Sequence, residues 1–157
     1  MHTLAPALTH CHSRFSLTTT EPTQFIDITE RLERLVADAG VAFGILNVQS
    51  LHTTTAIIVN EHEPLLLGDF RQILEAAAPD ARPYRHDDPM ARVVNITTAE
   101  RANGHAHCRA LLLPTAVGLN VVHGRLMLGH WQRVFFVELD GPRRRDVSVL
   151  ALCGARS

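Results

Sequence analysis

The sequence contains no lysine: all 15 of its basic residues are arginine. That absence excludes Schiff-base chemistry, phosphate-loop lysines and lysine general bases. It leaves arginine, whose planar fork suits bidentate contacts with anions, as the only permanent side-chain cation. Long apolar runs are also missing. No stretch approaches the roughly 18–20 residues of a membrane span, so a transmembrane helix is excluded. The opening MHTLAPALTHC has neither the basic stretch nor the apolar run of a signal peptide, which predicts a cytoplasmic protein. The formal net charge of -1 provides no whole-chain basic field for nucleic acid. Cysteine is scarce and odd in number (Cys11, Cys108, Cys153), which points to a reducing compartment and not to a disulfide framework. There is no glycine-rich nucleotide loop and no Gly-x-Ser-x-Gly elbow.

The 157 residues, 46% hydrophobic, suffice for one self-sufficient core. The chain reads as a single domain over 1–157, with residues 1–11 as a flexible arm. A first strand is expected over Arg14–Thr20. Asp27–Gly40 is a helix by its capping-box pair Asp27 and Glu30, its apolar positions Ile28, Leu32, Leu35, Val36 and Ala39, and its terminal Gly40. Strands are predicted over Val41–Gln49 and Thr53–Val59. Pro64 opens a second helix whose apolar face combines Leu65, Ile73, Ala76 and Ala77 with Leu66, Phe70 and Leu74. Pro79–Pro89 is a polar loop, Ala106–Leu113 a short helix. Strands follow near Val117–Val122, Arg125–Leu128, Gln132–Glu138 and Val147–Leu152 with turns at His123-Gly124 and Gly141-Pro142. A run of closely connected strands at the end favours an α+β fold, mainly antiparallel sheets in a sandwich with two or three helices.

Ten histidines are unusual for this length, and some are expected together in space, though counting does not say which. His52, His86, His105 and His107 fall at element edges, but no compact zinc spacing links them. Spacing alone therefore leaves metal ligation open against scattered histidines. His10-Cys11-His12 reads as incidental on a mobile arm. Arg143, Arg144 and Arg145 follow Glu138 and Asp140 around a Gly-Pro turn. They read either as a phosphate clamp or, the favoured reading, as a solvated turn whose charges cancel. Asn60-Glu61 ends the apolar strand, where a carboxylate serves as helix cap or as general base. Asp69 is an odd acid on an apolar helix face. Trp131, the only tryptophan, suits core packing, a subunit contact or stacking on a ligand ring. Cys108 reads as core.

Several strings then occur in order: His52-Thr-Thr-Thr-Ala56, Val59-Asn60-Glu61, Tyr84-x-His86-Asp87, Asn103-x-x-x-His107, Gly124-Arg-Leu-x-Leu-Gly129-x-Trp131-Gln132 and Glu138-x-Asp140-Gly-Pro-Arg143. From about Ser16 to Gly154 the chain resembles the YjbQ family, described as secondary thiamine-phosphate synthase-like proteins. The resemblance implies a homotrimer of compact α+β subunits. It implies a transferase that joins a pyrimidine pyrophosphate to a thiazole phosphate. It implies a pocket near subunit contacts where His52, His86 and His107 gather around a divalent metal ion, expected to be zinc, or an oxyanion, with Asn60, Glu61, Asp69 and Asn103 as the surrounding catalytic groups. Arg143 and Trp131 would bind the small phosphorylated metabolite. Two alternatives stay open: a trimer that binds a metal or phosphometabolite without turnover, and a metal-assisted hydrolase. His130 stands where the family commonly has threonine, and His105 where it often has an acidic or small residue.

Overall fold

The computed structural model describes residues 8–97 and 100–154. Its elements are β1 (Leu8–Thr18), β2 (Gln24–Asp27), α1 (Thr29–Ala39), β3 (Phe43–Ser50), β4 (Thr55–Glu61), α2 (Pro64–Ala77), α3 (Gly104–Ala110), β5 (Ala116–Val122), β6 (Arg125–Leu126), β7 (Gln132–Glu138) and β8 (Arg144–Gly154). All strand pairs are antiparallel. They form a five-stranded sheet in the order β1-β8-β3-β5-β6 and a three-stranded sheet in the order β2-β7-β4. This is the α+β fold with antiparallel sheets that the strand pattern predicted.

The run Val134-Phe135-Phe136-Val137 in β7 explains the layering. Successive side chains of a strand point to opposite faces. Val134 and Phe136 enter the main core between the sheets, beside Leu46 and Val48 of β3, Val147 and Val149 of β8, and Leu32 and Val36 of α1. Phe135 and Val137 face the other way, against Leu67 and Leu74 of α2 and Ala106 of α3. A strand buried on both faces reads as a continuous apolar run.

α1 ends at Gly40, whose φ of 61° is the left-handed conformation that glycine adopts without strain. Asp27 accepts from the Thr29 amide at 2.9 Å, but Ile28 is the residue that precedes the first turn. The His123-Gly124 turn has positive φ at both positions, as a tight two-residue hairpin requires.

Three expectations change. Leu8–Cys11 of the expected arm is strand, in register with Ala151–Gly154, because β8 is long enough to template it; residues 1–7 lie outside the described residues. β2 was not expected at all. On α2 the buried positions are Leu67 and Leu74, while Leu65 and Ile73 are exposed, because the three-stranded sheet covers only one side of the helix. Among the described residues no helix is long and apolar enough to cross a membrane.

Candidate functional site

The β7–β8 connection is built on a buried carboxylate. Glu138 is fully buried and accepts from the backbone N–H groups of Leu139, Asp140 and Gly141 at 3.1, 3.0 and 3.3 Å. Arg145 donates to it through Nε at 2.7 Å and a terminal nitrogen at 2.5 Å. Thr19 donates its hydroxyl at 2.9 Å. The expected solvated turn is therefore corrected: β8 alternates, so Arg144 points out while Arg145 points in with Val147, Val149 and Ala151. That period of two was readable in the sequence.

This turn presents Asp140, whose side chain is 2% exposed. One carboxylate oxygen takes Arg143 at 2.6 Å and the Asn103 amide nitrogen at 3.2 Å; the other faces Arg101 at 3.6 Å. Two guanidiniums on one carboxylate leave this corner net positive.

Asn103 precedes α3, and His107 follows four residues later on the same helical face. His86 lies on a single 3-10 turn, Arg85–Asp87, in the loop between α2 and α3. Asp87 ties that turn to α3 by accepting from the amides of Asn103 and Gly104, each at 2.9 Å. The rings of His86 and His107 come to 4.6 Å between centroids. Nε2 of His86 and Oδ1 of Asn103 are the two buried side-chain polar atoms without a hydrogen-bond partner among the described residues. Because Asn103 spends its nitrogen on Asp140, its carbonyl oxygen is oriented and free. Burial, aided by the neighbouring His86, lowers the pKa of His107 below the ordinary imidazole value.

Gly104 makes this approach possible. A Cβ there would run into Cβ and Cγ of Tyr84. Gly104→Ala is expected to cost about 1–3 kcal/mol through overpacking, although alanine favours helices. Urea unfolding reads the sign, and a stabilised variant would show that the Tyr84 contact is loose.

The other predicted residues lie elsewhere. His52 is half-buried, and its Nε2 accepts from the Asp146 amide at 2.7 Å. Its lone pair is thus in use, and burial followed by the Arg145 charge lowers its pKa. His52 is not brought to the His86–His107 pair. Among the described residues no group of three or more His, Cys, Asp or Glu converges as a metal site. Thr55 pairs with Glu138 and Glu61 with Gln132, so Asn60 and Glu61 lie at the opposite end of β4 from the Asp140 turn. Six residue steps along a strand separate them by about 20 Å. Trp131, 66% exposed, packs on His130 at that far end. Asp69 is exposed on α2 and Cys108 on α3, the latter correcting its expected place in the core. His105 is buried and pairs with Asp80 at 3.2 Å. Asp140 and Arg101 were not singled out by sequence reasoning; Asp140 at least lies within the Glu138–Arg143 string.

The profile described as "UPF0047 protein YjbQ-like" matches residues 13–154. A UPF0047 protein of Methanothermobacter thermautotrophicus is 38% identical over 133 residues, covering 85% of this chain and 85% of that one. Another from Archaeoglobus fulgidus is 39% identical, covering 87% of this chain and 98% of its own. The chain is also similar to a solved YbjQ-like protein of unknown function from Sulfolobus solfataricus, with a TM-score of 0.82 and 30% identity over 94% of this chain and 99% of that one. A solved hypothetical protein from Aeropyrum pernix has a TM-score of 0.80 and 34% identity over 90% and 98% of the two chains.

Proposed function

The chain belongs to the YjbQ-like UPF0047 family, and from that premise we propose that it is a zinc-dependent transferase acting on phosphorylated metabolites, joining a pyrimidine pyrophosphate to a thiazole phosphate. The observation that carries the reading is the pair of partnerless buried atoms, Nε2 of His86 and Oδ1 of Asn103, beside the ring of His107. A buried polar atom is costly unless something pairs with it. Two imidazoles and one amide oxygen make a donor set that suits a borderline-soft divalent ion and leaves room for a substrate oxygen. This set takes Asn103 in place of His52, whose lone pair holds the Asp146 amide. Bound there, zinc supplies electrostatic stabilisation of a departing pyrophosphate.

The residues of the chain do the rest. In the reaction a thiazole ring nitrogen forms a bond to the pyrimidine methylene carbon as the carbon–oxygen bond to pyrophosphate breaks. Arg143, held by Asp140, keeps further N–H donors for phosphate oxygens. Asp140 orients Asn103 and so aims its carbonyl oxygen.

Asn60, Glu61 and Trp131 enter through assembly. They lie at one end of the β4–β7 pair, and the Asp140 turn that holds Asn103 follows the other. Copies meeting end to end would bring the two sets together, and heterologous contacts of that kind form a ring where the rotation closes. The homotrimer is part of this reading.

The test incubates zinc-loaded protein with both precursors and weighs the assembly in solution. Thiamine phosphate and pyrophosphate above a heat-killed control, from a particle near three subunits, are expected. Zinc retained with no product favours a binding protein. Phosphate released from one precursor alone favours a hydrolase.

A further inference from the structure

We infer that Arg101 is the residue that receives the substrate's diphosphate group beside the imidazole pair, an assignment that rests on the function proposed above and names its ligand contact. A cleft of about 170 Å³ opens next to His86, lined also by Arg92, Ile96, Glu100 and Arg101. Its charged groups are mostly committed. Arg92 donates to Glu100 at 2.9 Å, to the Val94 carbonyl at 3.2 Å and to the Asn95 carbonyl, so it staples the loop and has little left for a ligand. Asp87 accepts from two backbone amides.

Arg101 differs. Its side chain is 54% exposed, and among the described residues its one ionic partner is Asp140, at the long distance of 3.6 Å. Arg143 holds the same carboxylate at 2.6 Å, so Asp140 stays neutralised when Arg101 leaves it. Gly141 backs the guanidinium: a Cβ there would meet it at 3.0 Å. Arg101 also borders a second cleft, of about 360 Å³. There Arg109 is spent on the Ala78 carbonyl, the Thr23 hydroxyl and Glu75, and His105 faces Asp80. Three carboxylates, Glu75, Asp80 and Asp140, line that side against two, Asp87 and Glu100, on the His86 side, which favours an anion beside His86. Of the guanidiniums around these two clefts, Arg101 alone has its fork uncommitted among the described residues. A guanidinium with free parallel N–H groups is the side chain best matched to phosphate oxygens.

The experiment titrates zinc-loaded protein with inorganic pyrophosphate by calorimetry. Arg101→Gln is expected to weaken binding by at least about tenfold and to flatten its dependence on salt, while zinc content and Tm stay at wild-type values. Arg101→Lys should restore part of the affinity. Arg144→Gln, an exposed charge removed on β8, should leave binding unchanged. Wild-type pyrophosphate affinity in Arg101→Gln overturns the assignment, as does a wild-type protein that holds zinc but not pyrophosphate. Loss of zinc in Arg101→Gln also overturns it, by making the residue structural. A wild-type protein that takes up no zinc defeats the proposed function instead.

Discussion

Glu138→Gln is expected to lower stability by about 3–5 kcal/mol, as breaking a buried ion pair does when the surviving charge stays inside. The carboxylate is fully buried and Arg145 is 3% exposed. Glutamine would keep one neutral acceptor but leave the guanidinium charge uncompensated inside, with the Thr54 hydroxyl at 3.0 Å as its other partner. It would also weaken the three backbone bonds that shape the turn. The same substitution should change the response to acid. Burial pushes the Glu138 carboxyl up, but Arg145, the Asp140 amide and Thr19 outweigh it, and the group lies below its ordinary value of 4.5. A carboxyl with a lowered pKa in the folded state contributes stability that is complete above the unfolded pKa and is lost as pH falls through the folded value. Wild-type stability should therefore decline below about pH 4.5, and Glu138→Gln should decline less steeply. Urea unfolding at fixed protomer concentration, at pH 7 and in steps below pH 4.5, measures both. A loss under about 1 kcal/mol at pH 7 would mean that Arg145 finds other partners. Replacing both residues by Leu and Met should cost less than the sum of the single changes, since an apolar pair leaves no charge behind.

That network also marks how far the sequence could be read. α1 was legible because Leu32 and Val36 recur at helical spacing before a glycine stop, and β7 because Val-Phe-Phe-Val is too apolar for anything but a buried strand. β2 was not, because Gln24–Asp27 is four residues with no pattern of its own and becomes strand only by pairing with Phe135–Glu138. The exposed Leu65 and Ile73 misled for a related reason: amphipathic spacing gives a helix two candidate faces, and the neighbouring sheet chooses one. In the site, His86 and His107 each stand in one of the ordered strings, and the fold brings their rings to 4.6 Å. Asn103 and His107 share a face by simple helical arithmetic. Asp140 is different. An acid in a Gly-Pro turn looks like any solvated turn, and its burial comes from Glu138, whose pairing partner Thr55 is 83 residues away in sequence. Non-local pairing of this kind leaves no local trace. The same pairing puts Glu61 roughly 20 Å along β4 from Thr55, at the end away from the Asp140 turn, which no local pattern could have given.

His86→Ala and His107→Ala are each expected to reduce bound zinc more than tenfold while the fold persists. His107 is fixed by α3, and His86 by a 3-10 turn that Asp87 ties to the first amides of that helix. Both rings are therefore held by backbone, not by each other, and deleting one should leave the other in place. Removing one of three donors takes away a coordinate bond without removing the cost of dehydrating the ion, so affinity falls steeply. Asn103→Ala should also lower zinc, and Asn103→Asp should retain it by supplying an oxygen donor of stronger charge. His130→Thr should keep full zinc, because His130 is exposed beside Trp131 at the far end of β7. His52→Ala separates the two possible ligand sets. Retained zinc with a weakened β7–β8 turn is expected from the bond between His52 Nε2 and the Asp146 amide. Zinc lost from His52→Ala as completely as from His107→Ala would instead mean that a neighbouring copy carries His52 into the site. Elemental analysis against protein concentration, with circular dichroism to check the fold, measures all of these. Unchanged zinc in both His86→Ala and His107→Ala would remove the ion from this site and leave the two orphaned polar atoms to be paired by water or by the substrate itself.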